Sequence, residues 1–407
     1  MRVVDIINIS SSADTLLKQR VLAMRASGFD NRIICADGPY VRPLREVGVP
    51  VHTVHLPRGL DPFRLAASLV EIAVYLRKNK VDVVHTHCSI PGAVGRLAAW
   101  LAGVPVIIHT VHGFHFHEDT PWLKRQPYLF VERVCGLVTD TLLTQNRSDL
   151  ERAERYGIGP RRRRRWIGNG IDLRRFHPVP RAPQSEPVVT ITCVARLEPV
   201  KNHTMLFEAA RLLKMRGESF RIRLVGGGGL RRDYQQLCER LGIADRVELL
   251  GYRDDIPEIL AQTDIAVLTS LKEGLPRAVV EPMAMGIPVV ATRVTGTCEA
   301  VQHGETGLTV EPGDVAGLAA ALALLIGDPA RRAEMGARGR AVAVRSFDER
   351  TVVETLRRIY RDRVLNRSGV TTRVFPTDGG RDAAVDPSGQ AAEPERGRHH
   401  HVPRGVA

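Results

Sequence analysis

The chain has 407 residues, 43% hydrophobic and 25% charged, which excludes a chain disordered throughout, a collagen and a disulfide miniprotein. That length exceeds one ordinary domain core and fits two domains with some excess. Lysine and arginine number 58 against 45 acidic residues, and the resulting +13 admits nucleic acid, a membrane surface or an acidic substrate without choosing among them. The cysteines, Cys35, Cys88, Cys135, Cys193, Cys238 and Cys298, are scattered, with no C-x-x-C pair and no metal-finger spacing. They read as buried free thiols of a reducing compartment.

Short β-branched runs alternate with helical patterns. The opening MRVVDIINIS holds Asp5 inside its apolar run, so it reads as a strand over Val3 to Ile9 and not as a signal peptide. A helix is expected from about Thr15 to Ser27, then strands over Arg32 to Ala36 and Val81 to Thr86. A helix over Gly92 to Ala102 and a strand over Pro105 to Thr110 follow, with further strands at Leu137 to Thr144 and Arg165 to Ile167. This βαβα rhythm implies a parallel sheet with helices on both faces.

Four prolines between Pro178 and Pro187 mark residues 178–187 as a linker. The rhythm then restarts with strands at Val188 to Val194, Phe220 to Val225, Asp264 to Thr269 and Val289 to Thr292. Helices are expected at His203 to Arg216, at Leu230 to Leu241 and up to Gly286, with a last one over Glu349 to Val364. The expected architecture is two tandem doubly wound, Rossmann-like α/β domains, 1–177 and 188–346, facing a cleft. Residues 347–365 form the last helical segment, and 366–407 read as a disordered tail whose His399, His400 and His401 have no core around them. The longest uncharged apolar stretch, Val315 to Gly327, is too short to span a bilayer, so a cytoplasmic protein is expected, with attachment to the inner membrane surface left open.

Ligands of open α/β sheets bind beyond the carboxyl ends of the strands, so those positions are the candidates. After the strand ending near Ser270 come Glu273, Gly274, Leu275 and Pro276, a helix N-terminus whose amides suit a phosphate or carboxylate. Glu281, inside the apolar run that follows, is expected to face inward, where a carboxylate needs polar partners such as hydroxyls or an internal salt bridge. Arg196 and Lys201 flank another strand end and suit a diphosphate, or else are ordinary surface cations. Gly226 to Gly229 fails the dinucleotide fingerprint because Arg231 stands at its third glycine position, leaving a tight turn and close backbone approach to a ligand. The histidines from His109 to His117 lack a metal-site spacing and a completing Cys or carboxylate, and they read as a cleft-lining loop with one imidazole donating hydrogen bonds to substrate.

Taken together these segments resemble the retaining glycosyltransferases of family four, which have the GT-B fold. The resemblance rests on Glu273 and Glu281 as an E-x7-E motif, on GluGlyLeuPro (273–276), ProMetAlaMetGlyIleProValValAla (282–291), AsnGlyIleAsp (169–172), ArgLeuGluProValLysAsn (196–202) and ThrValHisGlyPheHis (110–115). It covers roughly residues 1–365 and implies a donor site in the C-terminal domain and an acceptor site in the N-terminal one. By position, Arg196 and Lys201 would hold the diphosphate, Glu273 with the Gly274 and Leu275 amides the transferred sugar, and Glu281 the ribose. His112 would reach the sugar from the other domain, Tyr252 and Arg253 would lie near the base, and the last helix would pack back onto the N-terminal domain. Neither a metal nor another cofactor is implied, and the nucleotide-sugar is a co-substrate. One departure stands out: family members often carry glycines after the first strand, where this chain has Ser10, Ser11, Ser12 and Asp14, an acceptor side of hydroxyls and a carboxylate.

The implied function is transfer of a hexosyl or N-acetylhexosaminyl group from a nucleotide-sugar, expected to be a UDP-sugar, to a hydroxyl of a lipid-linked saccharide or small metabolite. An epimerase on the same fold and a non-catalytic nucleotide-sugar-binding module are the alternatives. The first lacks a clear acid/base pair, and the intact charged set argues against the second. Arg161 to Arg165 read as a solvated loop, with contact to an anionic membrane surface as the alternative. No interleaved aromatics or reading helix accompany the run, so nucleic acid is not an expected partner.

Overall fold

The computed structural model describes residues 1–56, 61–116, 120–180 and 188–367. The first half contains β1 (Arg2–Ile6), α1 (Ser10–Ser12), a π-helical turn (Ala13–Leu17), α2 (Lys18–Ala26), β2 (Asp30–Cys35), α3 (Val41–Glu46), β3 (Val51–Thr53) and α4 (Pro62–Lys78). It continues with β4 (Val83–His87), α5 (Ser89–Leu101), β5 (Val106–Val111), α6 (Trp122–Leu137), β6 (Thr141–Thr144), α7 (Arg147–Arg155) and β7 (Arg164–Trp166). The second half contains β8 (Val189–Val194), α8 (His203–Met215), β9 (Phe220–Val225), α9 (Arg231–Arg240), β10 (Val247–Gly251), α10 (Ile256–Ala261), β11 (Ile265–Leu268) and α11 (Arg277–Ala284). It closes with β12 (Val289–Thr292), α12 (Thr295–Ala300), β13 (Gly307–Val310), α13 (Val315–Gly327), α14 (Pro329–Ser346) and α15 (Glu349–Arg367).

Both sheets are parallel, in the orders β3-β2-β1-β4-β5-β6-β7 and β10-β9-β8-β11-β12-β13. Strand order reverses between β1 and β4 in the first sheet and between β8 and β11 in the second. Each reversal opens a crevice at the carboxyl ends, the ordinary ligand position of such sheets. The central strands are buried on both faces, so they read as continuous Val/Ile/Leu runs.

Helix starts follow local chemistry. The Asp61 carboxylate accepts from the Phe63 and Arg64 amides, and Pro62 fills the first turn of α4. Asn146, Asp314 and Asp328 cap α7, α13 and α14 in the same way. The last helix, α15, buries Val352, Val353, Leu356, Ile359 and Tyr360 against Val3, Met24, Val83 and Ile108 of the first half. The buried Arg20 guanidinium donates to Glu349 at 3.1 Å across the same junction.

Several boundaries differ from the sequence expectation. The strand expected over Leu137 to Thr144 begins only at Thr141, because α6 runs to Leu137. The helix expected from Thr15 starts at Ser10 through the π turn, so the serines open a helix instead of forming a loop. The last helix continues to Arg367, two residues into the expected tail, and residues 368–407, including the histidine run, lie outside the described residues. Of the expected linker, 181–187 lies outside them too. Arg164 and Arg165 belong to the edge strand β7 and are not loop. Cys298 is exposed and Cys88 half-buried, while the other four cysteines are buried, all six as free thiols. No helix among the described residues is long and apolar enough to cross a membrane.

Candidate active site

The loops after β8 and β11 are stitched together at the second crevice. The Leu271 amide donates to the Val200 carbonyl at 2.8 Å, and the Thr269 hydroxyl donates to the Lys201 and Asn202 carbonyls, each at 3.0 Å. This brings Lys201 Nζ to 2.5 Å from Glu273 Oε1, with both side chains mostly buried. Arg196, expected beside Lys201, instead pairs with Glu198 at 2.7 Å on a side chain 60% exposed. The two cations therefore occupy different layers, Lys201 inside and Arg196 at the rim.

Gly274 and Leu275 precede Pro276, which caps α11. Glu281 faces inward as its apolar neighbours require, and it is paired within the chain: Arg277 Nε donates to Glu281 Oε1 at 2.8 Å. This pair is the internal salt bridge that the sequence admitted for a buried Glu281. The same guanidinium lies 3.5 Å from the Gly170 carbonyl.

The first half meets this loop directly. Asn146, after β6, donates through Nδ2 to the Gly274 carbonyl at 3.2 Å, and Asn169, after β7, donates to the Leu275 carbonyl at 2.9 Å. Gly113, after β5, lies against Gly274, and a Cβ on Gly274 would stand 2.5 Å from the His112 carbonyl oxygen. The absence of a side chain at Gly274 thus lets the two halves touch. The Glu299 carboxylate adds a cap across the halves, accepting from the Arg147 and Ser148 amides at 2.7 and 2.9 Å. Glu299 carried no sequence signal and Asn146 only that of a helix cap, because their contacts across the halves depend on partners more than a hundred positions away.

At the first crevice the histidines divide. His109 sits within β5, buried, with Nδ1 2.8 Å from the Thr86 hydroxyl, so it is not part of a cleft-lining loop. His112 follows the strand and its Nε2 lies 3.0 Å from His87 Nδ1, whose Nε2 lies 2.9 Å from Asp5 Oδ1. His85 bridges Tyr360 of α15 and Thr110, each at 2.6 Å. Burial holds His85, His87, His109 and His112 well below the ordinary imidazole range, and the neighbouring His87 and Arg20 push His112 the same way. His115 is exposed, and His117 lies outside the described residues. Asp5, His85 and His87 stand close enough to share a cation by distance alone. Every ring nitrogen of this histidine pair already has a protein partner, while Asp5 Oδ2 is buried without one.

The remaining expected residues are dispersed. Tyr252 is half exposed and packs edge-on to Tyr40 of the other half, with ring centroids 5.2 Å apart. Arg253 is exposed and pairs with Asp255. Gly226 and Gly228 bring backbone close to backbone, against the Ala195 and Leu197 carbonyls, while Gly227 and Gly229 face open space. Ser10 is buried with its hydroxyl against Gly38, Ser11 and Ser12 are half-buried, and Asp14 is engaged by Lys18 at 2.6 Å. The acceptor side expected at these four residues therefore keeps only part of its polar groups free of local partners.

Comparison with known proteins bears on both halves. The model of the glycosyl transferases group 1 matches residues 177–342, and the glycosyl transferase 4-like domain matches residues 17–170. An Escherichia coli relative, UDP-Gal:alpha-D-GlcNAc-diphosphoundecaprenol alpha-1,3-galactosyltransferase, is 30% identical over 352 residues, covering 83% of this chain and 90% of its own. D-inositol 3-phosphate glycosyltransferase of Geodermatophilus obscurus is 32% identical over 369 residues, covering 82% and 80%. Among solved structures, Anabaena Alr3699/HepE in complex with UDP-glucose superposes with a TM-score of 0.76 at 21% identity, over 89% of this chain and all of that one, a likeness of fold. With each half matched by its own model, the chain belongs to the family-four (group 1) glycosyltransferases of GT-B fold, and it is a glycosyltransferase.

Proposed function

We propose that the chain transfers a hexosyl or N-acetylhexosaminyl group, with retention of configuration, from a UDP-sugar to a hydroxyl of a lipid-linked saccharide or small metabolite. The observation that carries this reading is the meeting of Lys201, Glu273 and the Gly274–Leu275 turn with the His112 backbone from the other half. The relatives support the range of substrates: one is named for UDP-Gal and a diphosphoundecaprenol-linked sugar, another for inositol phosphate, and the Anabaena neighbour was solved with UDP-glucose.

In this scheme the bond between the sugar C1 and the diphosphate oxygen breaks while the acceptor oxygen bonds C1 from the same face. The acceptor proton passes to the departing diphosphate, so UDP and the glycoside are the products. Charge grows on the diphosphate, and Lys201, Arg196 and the turn amides supply fixed positive potential there. Glu273 holds sugar hydroxyls and Glu281 the ribose, exchanging Lys201 and Arg277 for those partners when donor enters. Tyr252 and Arg253 border the base. Ser10, Ser11, Ser12 and Asp14 border the acceptor. The scheme assigns no step to a metal or a protein nucleophile.

A lipid-linked acceptor also accords with the outer face of the N-terminal half. On α6, Leu123, Phe130, Val134 and Leu137 recur at helical spacing and are exposed, flanked by Lys124 and Arg133. Gly136, at the end of that helix, abuts Gly159, which places the stripe beside exposed Arg161, Arg162 and Arg163. Apolar side chains with a cationic border suit an anionic membrane surface.

The decisive experiment is a thermal-shift comparison of UDP with NAD, followed by a nucleotide-sugar panel read by release of free nucleotide. Stabilisation by UDP alone, and UDP release with one sugar class, is the expected result. Equal shifts with UDP and NAD would sink the donor assignment.

A further inference from the structure

Behind His112 runs a buried chain of three groups on three strand ends: Asp5 within β1, His87 at the end of β4 and His112 just past β5. Its two links are 2.9 Å, from His87 Nε2 to Asp5 Oδ1, and 3.0 Å, from His87 Nδ1 to His112 Nε2. Asp5 and His87 are buried, and α15 closes the rear through Tyr360 and His85.

The direction of these bonds is fixed by elementary bookkeeping. Burial raises Asp5, but His85 and Arg20 beside it favour the ionised form; an ionised carboxylate oxygen only accepts, so with Asp5 ionised His87 carries its proton on Nε2. A neutral imidazole has one N–H, so His87 Nδ1 is left as an acceptor. Burial keeps both rings neutral, so His112 must place its proton on Nε2 to complete the link, and its Nδ1 becomes a lone pair. The Gln145 side chain beside the ring favours its protonated form, a smaller effect than burial.

We propose that Asp5 and His87 are positioning residues that lock His112 in the tautomer protonated at Nε2, so that His112 accepts a hydrogen bond from a donor-sugar hydroxyl through Nδ1. This reverses the polarity expected from sequence, where an imidazole of this loop donates. The consequence for specificity is that the contacted sugar position must carry a hydrogen-bond donor. The sugar contact rests on the function proposed above, whereas the tautomer itself does not.

Asp5→Asn is the informative variant, because an amide nearly isosteric with the carboxylate can present N–H to His87 Nε2. His87 would then carry its proton on Nδ1, donate to His112 Nε2, and drive the His112 proton to Nδ1. Nitrogen NMR of the full chain with labelled histidine, assigned by His112→Gln, reads this directly. The expected result is a His112 protonated at Nε2 in the wild type and at Nδ1 in Asp5→Asn, with kcat/KM falling roughly 100-fold, the scale of losing substrate alignment through a remote change. A wild-type His112 protonated at Nδ1 overturns the proposal without any variant, as does a folded Asp5→Asn with an unchanged tautomer.

Donor analogues supply the second readout. At the contacted position, a fluoro sugar, which can only accept, should be as poor as the deoxy sugar for the wild type and recover relative to it in Asp5→Asn. A fluoro sugar that matches the hydroxyl in the wild type overturns the acceptor role. Failure of every nucleotide-sugar to turn over would instead refute the proposed function and leave the tautomer result standing.

Discussion

Lys201 Nζ and Glu273 Oε1 stand 2.5 Å apart although 72 positions separate them in the chain. Each is the other's partner before any donor arrives, and both side chains are largely withdrawn from water. Removing one leaves a mostly buried charge unpaired, which costs more than the pair contributes. Lys201→Ala and Glu273→Gln should each lower kcat/KM roughly 100-fold, the scale of losing one transition-state-stabilising group. The double variant should lose far less than the product of the two, because the residues act as a unit. Steady-state kinetics on the three variants decides it, and strictly multiplicative losses would mean independent roles.

Gly274→Ala places a methyl 2.5 Å from the His112 carbonyl oxygen, a backbone atom that cannot rotate away. The halves must separate locally, opening the bonds from Asn146 and Asn169 to this turn. Activity should drop at least tenfold while each half keeps its sheet, as a 1 Å misplacement of reacting groups costs on the order of 100-fold. Circular dichroism alongside turnover tests this, and full activity would show that the contact does not align the site.

Acidification should destabilise the fold. Burial lowers His85, His87, His109 and His112 well below 6.5, so between their folded values and 6.5 the unfolded chain binds more protons. Stability therefore rises with pH through that window and is lost as pH drops through it, by up to about 1.4 kcal/mol per pH unit for each proton of difference. Asp5, raised by burial, works in the opposite sense, but it is one group against four. Urea midpoints at pH 7.5 and 5.5 should show the loss, and equal midpoints would mean that these imidazoles charge without cost.

The outward stripe of α6 gives a surface test. Leu123→Ser with Phe130→Ser should abolish retention on phosphatidylglycerol vesicles at low salt while leaving turnover of a soluble acceptor unchanged. Neutralising Arg161, Arg162 and Arg163 should weaken retention and flatten its salt dependence, since each cation contributes on the order of 1 kcal/mol near such a surface. Flotation measures both, and wild-type protein that stays unbound at low salt rules the contact out.

Much of the fold was legible because parallel strands buried on both faces leave continuous β-branched runs. Phe220–Val225 and Val289–Thr292 were bounded as observed for that reason. Less was legible where polarity runs against position. Three-residue β3 is too short to carry a pattern, and α6 shows its apolar residues to solvent, so neither announced itself. The E-x7-E spacing and the loop after β11 identified the family and one wall of the crevice.

The opening count of +13 likewise changes meaning in three dimensions. The sequence alone determined two α/β halves, the family, and which residue types stand at the strand ends, because these depend on local pattern and chain order. Only the tertiary structure decided that Lys201 answers Glu273 while Arg196 turns to Glu198, that Arg277 holds Glu281, and that Asp5 stands behind His87 and His112. Those pairings depend on direction and distance between strands that the chain brings together from far apart. Hydrogen bonds and ion pairs are decided by tenths of an ångström, a scale that spacing along a sequence does not encode.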